Sequence, residues 1–266
     1  MKKKARPVGT LCMILCILFF YLPIAFMIVF SFNSGKSLTA FSGFSLQWYE
    51  KMFKDSNMMD AMQTTVVVAV LATVISTIVG TISAIGLSRS RRVIRDVILQ
   101  INDFPIMNPD IVTAIGLMLF FITLNVERGF MTMLLAHVAF CIPYVILSVM
   151  PKIRSLDPNL LDAALDLGAT PWQALVKVII PQIRIGMVSG ALIAFTMSFD
   201  DFVISYFVTG RGVKNLSIVV YTMSKRVNPS INAVSTLIVA FITVVLIVIN
   251  VIPLVTGKKI PIKLTQ

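Results

Sequence analysis

The sequence predicts an all-α membrane protein with six transmembrane helices. Of its 266 residues, 57% are hydrophobic and only 13% are charged, whereas soluble domains carry roughly 25% charged residues. Six apolar segments reach the length of about 20 residues that a helix needs to cross a bilayer. They lie at about 10–32, 61–87, 97–122, 130–150, 184–208 and 232–256. We therefore interpret residues 1–266 as a single transmembrane domain.

The basic residues predict how these segments are oriented. With the N-terminus in the cytoplasm, 15 of the 23 Lys and Arg residues fall on the cytoplasmic side and 8 on the outer side, as the positive-inside rule requires. This orientation places both termini and the loop 151–183 in the cytoplasm. The same rule accounts for the net charge of +11, so we expect no nucleic-acid partner.

The loop between the fourth and fifth segments is predicted to hold two short helices joined at a glycine. Each helix is predicted to start with a capping side chain followed by proline, which fits the first position of a helix. The glycine suits the left-handed residue that ends a helix, and a last proline is expected to close the second one. These residues are Asp157 and Pro158, Gly168, Thr170 and Pro171, and Pro181.

The spacing within this loop resembles the EAA motif of ABC-importer permeases. That motif reads Glu-Ala-Ala, three residues, Gly, nine residues, Ile, one residue and Leu-Pro. Asp replaces Glu, Val replaces Ile and Ile replaces Leu in this chain, while the spacing is intact. The matching residues are Asp162, Ala163, Ala164, Gly168, Val178, Ile180 and Pro181.

The resemblance implies a type I ABC-importer permease fold whose cytoplasmic loop contains a coupling helix that docks on a separate ATPase. The sequence has no Gly-x-x-x-x-Gly-Lys-Ser/Thr phosphate loop, so we expect ATP hydrolysis in a partner chain and a non-catalytic role here. Small residues let such a helix enter a groove, and acidic residues can meet basic groups on the partner. The expected coupling residues are Asp162, Ala163, Ala164, Asp166, Gly168 and Pro181.

Over nearly its whole length the chain is similar to the second permease of spermidine/putrescine ABC importers. The residues that carry this likeness lie at 22–24, 31–34, 108–112, 198–203 and 205–210. The likeness implies a multi-pass protein of a bacterial cytoplasmic membrane. It also implies a second homologous permease, two copies of an ATP-binding subunit and an extracellular or periplasmic polyamine-binding protein as partners.

Acidic residues inside the predicted spans suggest a path for a multiply charged cation. An Asp in mid-bilayer costs about 2.5–3.5 kcal/mol on insertion scales, so it usually faces a cavity or a partner. For Asp110 and for one of the pair Asp200 and Asp201, a path role and a structural role are both open, whereas Asp103 is expected to be structural. Aromatic faces can also replace water around an amine. The candidate path residues are Asp110, Asp200, Asp201, Phe199, Phe202 and Tyr206.

Three other features are predicted to be structural. His137 is the only histidine, and we expect a packed, hydrogen-bonded side chain rather than a proton relay. Gly80 and Ala84 share one helix face and are expected to admit a neighbouring helix of the same subunit. The three cysteines lie in apolar runs without metal-ligand context, so we expect no metal and no cofactor.

Two other classes of function remain open at this point. Within transport, the same pattern fits an ABC permease for an amino acid, a phosphonate or ferric ion. Outside transport, it fits an intramembrane enzyme or a structural membrane subunit. The lone histidine and the lack of Gly-x-Ser-x-Gly or His-x-x-x-His spacing disfavour the enzyme. An ATPase that co-purifies with the chain would distinguish an importer permease from an intramembrane enzyme and from a structural subunit.

Overall fold

The computed structural model describes residues 7–37, 39–210, 212–224 and 229–255. Within these residues the regular structure is helical, apart from a single β-bridge between Asn33 and Phe44. The helices are α1 (Pro7–Ser31), α2 (Gln47–Lys54), α3 (Ser56–Arg89), α4 (Arg92–Met107), α5 (Asp110–Thr123), α6 (Phe130–Arg154), α7 (Leu160–Asp166), α8 (Pro171–Ala174), α9 (Ile180–Phe199), α10 (Val203–Val208), α11 (Leu216–Ser224) and α12 (Ser230–Val255). A π-helical turn, Leu175–Ile179, joins α8 to α9.

Four helices in the described part of the chain are long and apolar enough to cross a membrane. They are α1, α3, α6 and the continuous run Pro171–Phe199. The pair α4 and α5 would add a fifth, although its two halves meet at 106°. α12 covers most of the sixth predicted segment, whose last residue, 256, lies outside the described residues. The count of six spans stays a prediction.

The third predicted segment, 97–122, is broken into two helices. α4 ends at Met107, and Asn108 follows in an extended conformation with a ψ of 146°. Proline disfavours the helical conformation of the residue before it, so Pro109 explains why the break falls here. Pro105 lies within α4. A proline removes only one backbone hydrogen bond, and a membrane helix can tolerate that loss.

α6 is the centre of the larger compact unit, residues 60–219. α9 packs along α6, and α4 and α10 also contact it. A Cβ added at Gly80 would lie 2.8 Å from Val145 Cβ on α6, and one at Gly190 would lie 3.1 Å from Val145 Cα. Only glycine therefore permits these helices to approach so closely. The predicted packing of Gly80 against a helix of the same subunit is confirmed.

The smaller compact unit contains residues 1–59 and 220–266, in which α12 packs against α1 and α2. The turn after α1 is organised by Asn33, which is buried. Its amide oxygen accepts hydrogen bonds from the backbone N–H groups of Gly35 and Ser42 at 3.3 and 2.8 Å. The main-chain carbonyl oxygen of Asn33 accepts a hydrogen bond from Trp48 Nε1 at 2.7 Å. These bonds satisfy backbone groups that a turn would otherwise leave unpaired.

Candidate functional site

The first helix of the loop begins later than the sequence predicts. α7 starts at Leu160 with Asn159 as its N-cap, so the predicted start at Asp157 and Pro158 is two residues too early. Asp157 Oδ1 instead accepts a hydrogen bond from the Asn159 N–H at 2.9 Å, and its carbonyl oxygen accepts one from the Leu160 N–H at 3.1 Å. The Asp-Pro pair therefore builds a tight turn that precedes the helix.

The predicted glycine joint is confirmed. Gly168 has a φ of +84°, in the left-handed region that favours glycine. Its N–H donates to the Leu165 carbonyl at 2.9 Å, and the Ala169 N–H donates to the Ala164 carbonyl at 3.1 Å. This pair of bonds is a Schellman motif, which satisfies carbonyl groups at the end of α7.

The second helix starts as predicted but does not end at Pro181. Thr170 Oγ1 accepts from the Gln173 N–H at 3.3 Å, and Gln173 Oε1 accepts from the Thr170 N–H at 3.0 Å, which completes a capping box. The helix then continues to Phe199. Because the π-helical turn shifts the backbone register, the Ile180 N–H bonds to the Leu175 carbonyl, and the proline is accommodated at the start of α9.

The loop leaves an apolar surface uncovered. Leu167 and Trp172 are 89% and 71% exposed, at the end of α7 and the start of α8. Among the predicted coupling residues, Asp162, Ala163, Asp166, Gly168 and Pro181 are exposed, whereas Ala164 is buried against its own chain. Large apolar side chains that are exposed next to each other in this way favour contact with a partner surface. The sequence singled out the acidic and small residues of α7 but missed Trp172.

The fifth predicted segment, 184–208, is interrupted between α9 and α10, and Asp201 fills the break. Its Oδ1 accepts from the Ile204 N–H at 3.2 Å, and its Oδ2 accepts from the Ser205 N–H at 2.7 Å and from Ser205 Oγ at 2.8 Å. The side chain is only 9% exposed. Both oxygens are thus used to satisfy the first turn of α10.

His137 of α6 closes the same network from the other side. The residue is 1% exposed, and its Nδ1 and Nε2 lie 2.6 Å from Ser198 Oγ and 2.9 Å from Ser205 Oγ. Nε2 is also 3.4 Å from Asp201 Oδ2. The prediction of a packed, hydrogen-bonded histidine is confirmed, but its proximity to a carboxylate was not visible in the sequence.

The hydrogen bonds of Ser205 determine which of its neighbours donate and which accept. Its hydroxyl donates to Asp201 and accepts from Asn215 Nδ2 at 2.8 Å. One lone pair is left, and it accepts from His137 if the imidazole carries its proton on Nε2. His137 Nδ1 then accepts from Ser198. Every member of this buried network is satisfied, which is the condition for such a network to be stable in a core.

The network extends to α11 and α3 through residues that the sequence did not single out. Asn215 Nδ2 also donates to the Asp201 carbonyl at 2.7 Å, and its Oδ1 accepts from the Ile218 N–H at 3.0 Å. The Leu216 N–H donates to Thr65 Oγ1 at 2.7 Å. An asparagine directly before an apolar run is a helix-start signal, so Asn215 could have been found from the sequence.

Asp200 and Asp110 differ sharply from Asp201. Asp200 is the C-cap of α9, and Asp110 is the first residue of α5. Both are exposed, and neither forms an ion pair with any residue that the structure describes. Asp103 is half-buried within α4 and lies 3.4 Å from Asn102 Nδ2. Each helix break therefore presents one exposed carboxylate.

Aromatic side chains flank the second break. Phe199 stacks on Phe195 with ring centroids 5.6 Å apart, and Phe202 contacts Tyr206 at 5.4 Å. Phe199 and Phe202 are half-buried, and Tyr206 is 49% exposed. The faces of such rings attract cations, so the exposed Asp200 has aromatic neighbours on both sides in the chain.

We predict that Asp201→Ala destabilises the protein, whereas Asp200→Ala does not. The first change leaves the N–H groups of Ile204 and Ser205 without their acceptor, at a cost of about 1–3 kcal/mol for a buried group. Thermal unfolding of the purified protein in detergent measures the difference, with a midpoint several degrees lower for Asp201→Ala. Equal midpoints for the two variants would show that Asp201 does not hold the break.

The chain matches the family described as binding-protein-dependent transport system inner membrane component over residues 76–256. It is 36% identical over 240 residues to the putrescine transport system permease protein PotI of Escherichia coli K12, with 85% of this chain and 84% of the relative covered. It is 34% identical over 242 residues to the spermidine/putrescine transport system permease protein PotC of Haemophilus influenzae, with 91% and 93% covered.

Solved structures share the fold at much lower identity. A bacterial ABC transporter involved in the import of the acidic polysaccharide alginate superposes with a TM-score of 0.72 at 19% identity, over 95% of each chain. An amino acid ABC transporter superposes with a TM-score of 0.52 at 18% identity, over 73% of this chain and 88% of that one. The chain has the type I ABC-importer permease fold and is a multi-pass inner-membrane protein and a transport subunit. It belongs to the family of binding-protein-dependent transport system inner membrane components.

Proposed function

We propose that this chain is the permease subunit of an ATP-driven importer of polyamines, and that it forms half of the translocation path. The observation that carries the proposal is the pair of helix breaks, each with an exposed carboxylate, Asp110 or Asp200. The relatives named as putrescine and spermidine/putrescine permeases support the same substrate class.

The chemistry of these carboxylates suits a polyamine. Its amines are charged at neutral pH, so its passage needs groups that replace water but bind weakly enough to release it. Exposed carboxylates at the ends of helices meet this need better than a fully bonded one. Phe199, Phe202 and Tyr206 supply aromatic faces beside Asp200. The hydrogen bonds of Asp201 to the first turn of α10 support a structural role for this residue in the proposal.

The fold alone does not select the solute, because importers of alginate and of an amino acid share it. An amino acid, phosphonate or ferric-ion permease is therefore the second candidate. The exposed carboxylates favour a cation over an anion such as phosphonate. An organic cation with several amines can use both Asp110 and Asp200, together with the aromatic faces between 199 and 206.

The loop 151–183 docks on the ATPase in this proposal. The exposed patch of Leu167 and Trp172, with Asp162 and Asp166 on the same short helix pair, supports a partner surface. The partners are a second homologous permease, two copies of an ATP-binding subunit and a periplasmic polyamine-binding protein. The excess of basic residues on the predicted inner side supports cytoplasmic termini.

We predict that Asp110→Asn and Asp200→Asn each lower the rate of polyamine uptake. The expected reduction is roughly tenfold, since a hydrogen bond to a charged group contributes about 1.5–3 kcal/mol. Uptake of labelled spermidine and putrescine into vesicles that contain the complete importer measures it. The affinity of the binding protein for polyamine is expected to be unchanged.

Asp103→Asn is the matched control for these variants, because it removes a half-buried carboxylate from within α4, about one turn before the break. It is expected to affect transport less and expression more. Wild-type uptake by both test variants would exclude the two carboxylates from the path. If the complete importer takes up an anion or a neutral solute instead, the polyamine assignment is wrong.

We also predict that Gly168→Arg abolishes transport while the protein remains in the membrane. A left-handed residue with a Cβ costs about 1–2 kcal/mol, and the long side chain would obstruct the docked ATPase. Among the described residues, no heavy atom beyond the two chain neighbours lies within 4 Å of a Cβ at this position, so the fold leaves room for a side chain there. Substrate-stimulated ATP hydrolysis by the purified complex is the measurement.

Gly168→Asn separates the two effects, since asparagine tolerates the left-handed conformation and is short. We expect this variant to keep most of the activity. Asp162→Lys is expected to weaken the association of the ATPase subunit, seen as a lower yield of that subunit on co-purification. Normal stimulated hydrolysis by the Gly168→Arg complex would show that the loop does not couple the two subunits.

A further inference from the structure

A cavity of about 710 Å³ opens between the ends of α3 and α6 and the loop that carries α7 and α8. Arg89, Arg95 and Arg154 line it, each from a different helix, against the single carboxylate of Asp157. Neither the sequence motif nor the proposed translocation path accounts for three guanidinium groups at one cavity. The site lies away from both helix breaks in the chain.

Two of these arginines are uncompensated. Arg89 and Arg154 form no ion pair with the described residues, whereas Arg95 Nε lies 3.3 Å from Asp96 Oδ1. Asp157 already accepts a backbone hydrogen bond within its own turn. The cavity therefore has a net positive charge. Guanidinium groups match phosphate oxygens with paired hydrogen bonds, so a phosphate group is the ligand chemistry they fit best.

Apart from Ser88, the remaining wall of the cavity is apolar. Ile85 and Ile153 come from α3 and α6, Leu161 comes from α7, and Leu175 and Ile179 come from the π-helical turn. A small soluble phosphate would leave this surface in water. A ligand that has a phosphate head and a hydrocarbon part would cover both the charged rim and the apolar wall.

The position of the arginines at the ends of helices indicates which class of amphiphile the cavity would bind. Arg89 and Arg154 are the last residues of two helices that are long enough to span a bilayer. Side chains at that level meet lipid headgroups, and basic pockets between membrane helices at the cytoplasmic side bind anionic headgroups. We propose that the cavity binds one anionic phospholipid, whose phosphate contacts Arg89 and Arg154.

The bound lipid acts on the coupling loop. Because Leu161 and Leu175 belong to the cavity wall, the lipid supports the position of α7 against the ends of α3 and α6. An anionic lipid therefore increases the fraction of complexes in which the loop is correctly placed for the ATPase. This role is independent of the polyamine assignment and depends on an ATPase partner only for its effect on hydrolysis.

The double variant Arg89→Gln/Arg154→Gln tests the site, with Arg91→Gln/Arg92→Gln as its control. The control removes two charges from the same end of the molecule, and neither of its arginines lines the cavity. Native mass spectrometry of the complex, titrated with phosphatidylglycerol, measures binding. Two lost charges are expected to lower the affinity about 30-fold, and the control is expected to keep the wild-type value.

The same complexes are then placed in vesicles of phosphatidylcholine alone or of equal parts phosphatidylcholine and phosphatidylglycerol. We expect stimulated ATP hydrolysis to be several-fold higher with phosphatidylglycerol for the wild type and the control, and to lose this dependence in the test variant. Equal lipid binding by the test variant and the control overturns the site.

Two other outcomes also overturn the proposal, and each identifies a different occupant. If inorganic phosphate restores full hydrolysis in phosphatidylcholine vesicles, the ligand is a soluble anion. If the test variant loses the ATPase subunit on purification while the control retains it, the arginines belong to a protein interface.

Discussion

The structure depends on one constraint, that backbone polar groups within a bilayer must find partners inside the protein. An unpaired N–H or C=O group in hydrocarbon costs several kcal/mol, so a helix can be broken at depth only where side chains replace the missing bonds. Asp201 and Asn215 perform this task after α9. Their side-chain oxygens accept hydrogen bonds from backbone N–H groups in the first turns of α10 and α11. Ser205 in turn hydrogen-bonds to Asn215 and to His137.

This constraint separates the roles of two adjacent carboxylates. Asp201 is nearly buried and accepts hydrogen bonds from the first turn of α10. Asp200, one residue earlier, is exposed at the same break, where it is the C-cap residue of α9. One polar network thus satisfies the backbone at the break, and the exposed carboxylate beside it is the one that the proposed function places on the path of a cationic solute. At the other break, Asp110 is also exposed and is the first residue of α5, directly after Pro109.

The sequence predicted the features that depend on local chemistry. Gly168 and Thr170 behave as their residue types require, because a left-handed turn and a capping box involve only neighbouring residues. Two features were missed. Pro181 lies inside a continuing helix because the π-helical turn just before it shifts the backbone register. His137 lies beside Asp201 because α6 packs against α10, which only the tertiary structure decides. Asn215 is a local helix-start signal, but the sequence does not show its importance, because that depends on its hydrogen bonds to Asp201 and Ser205.

The exposure of the two adjacent carboxylates to substrate is the most direct test of this account. In a background without Cys12, Cys16 and Cys141, the Asp200→Cys and Asp201→Cys variants of the complete importer would be treated with a small cationic thiol reagent. The account predicts fast modification of the Asp200→Cys variant, slowed by spermidine, and slow modification of the Asp201→Cys variant that spermidine does not change. An Asp200→Cys variant that is unreactive, or indifferent to spermidine, would contradict it.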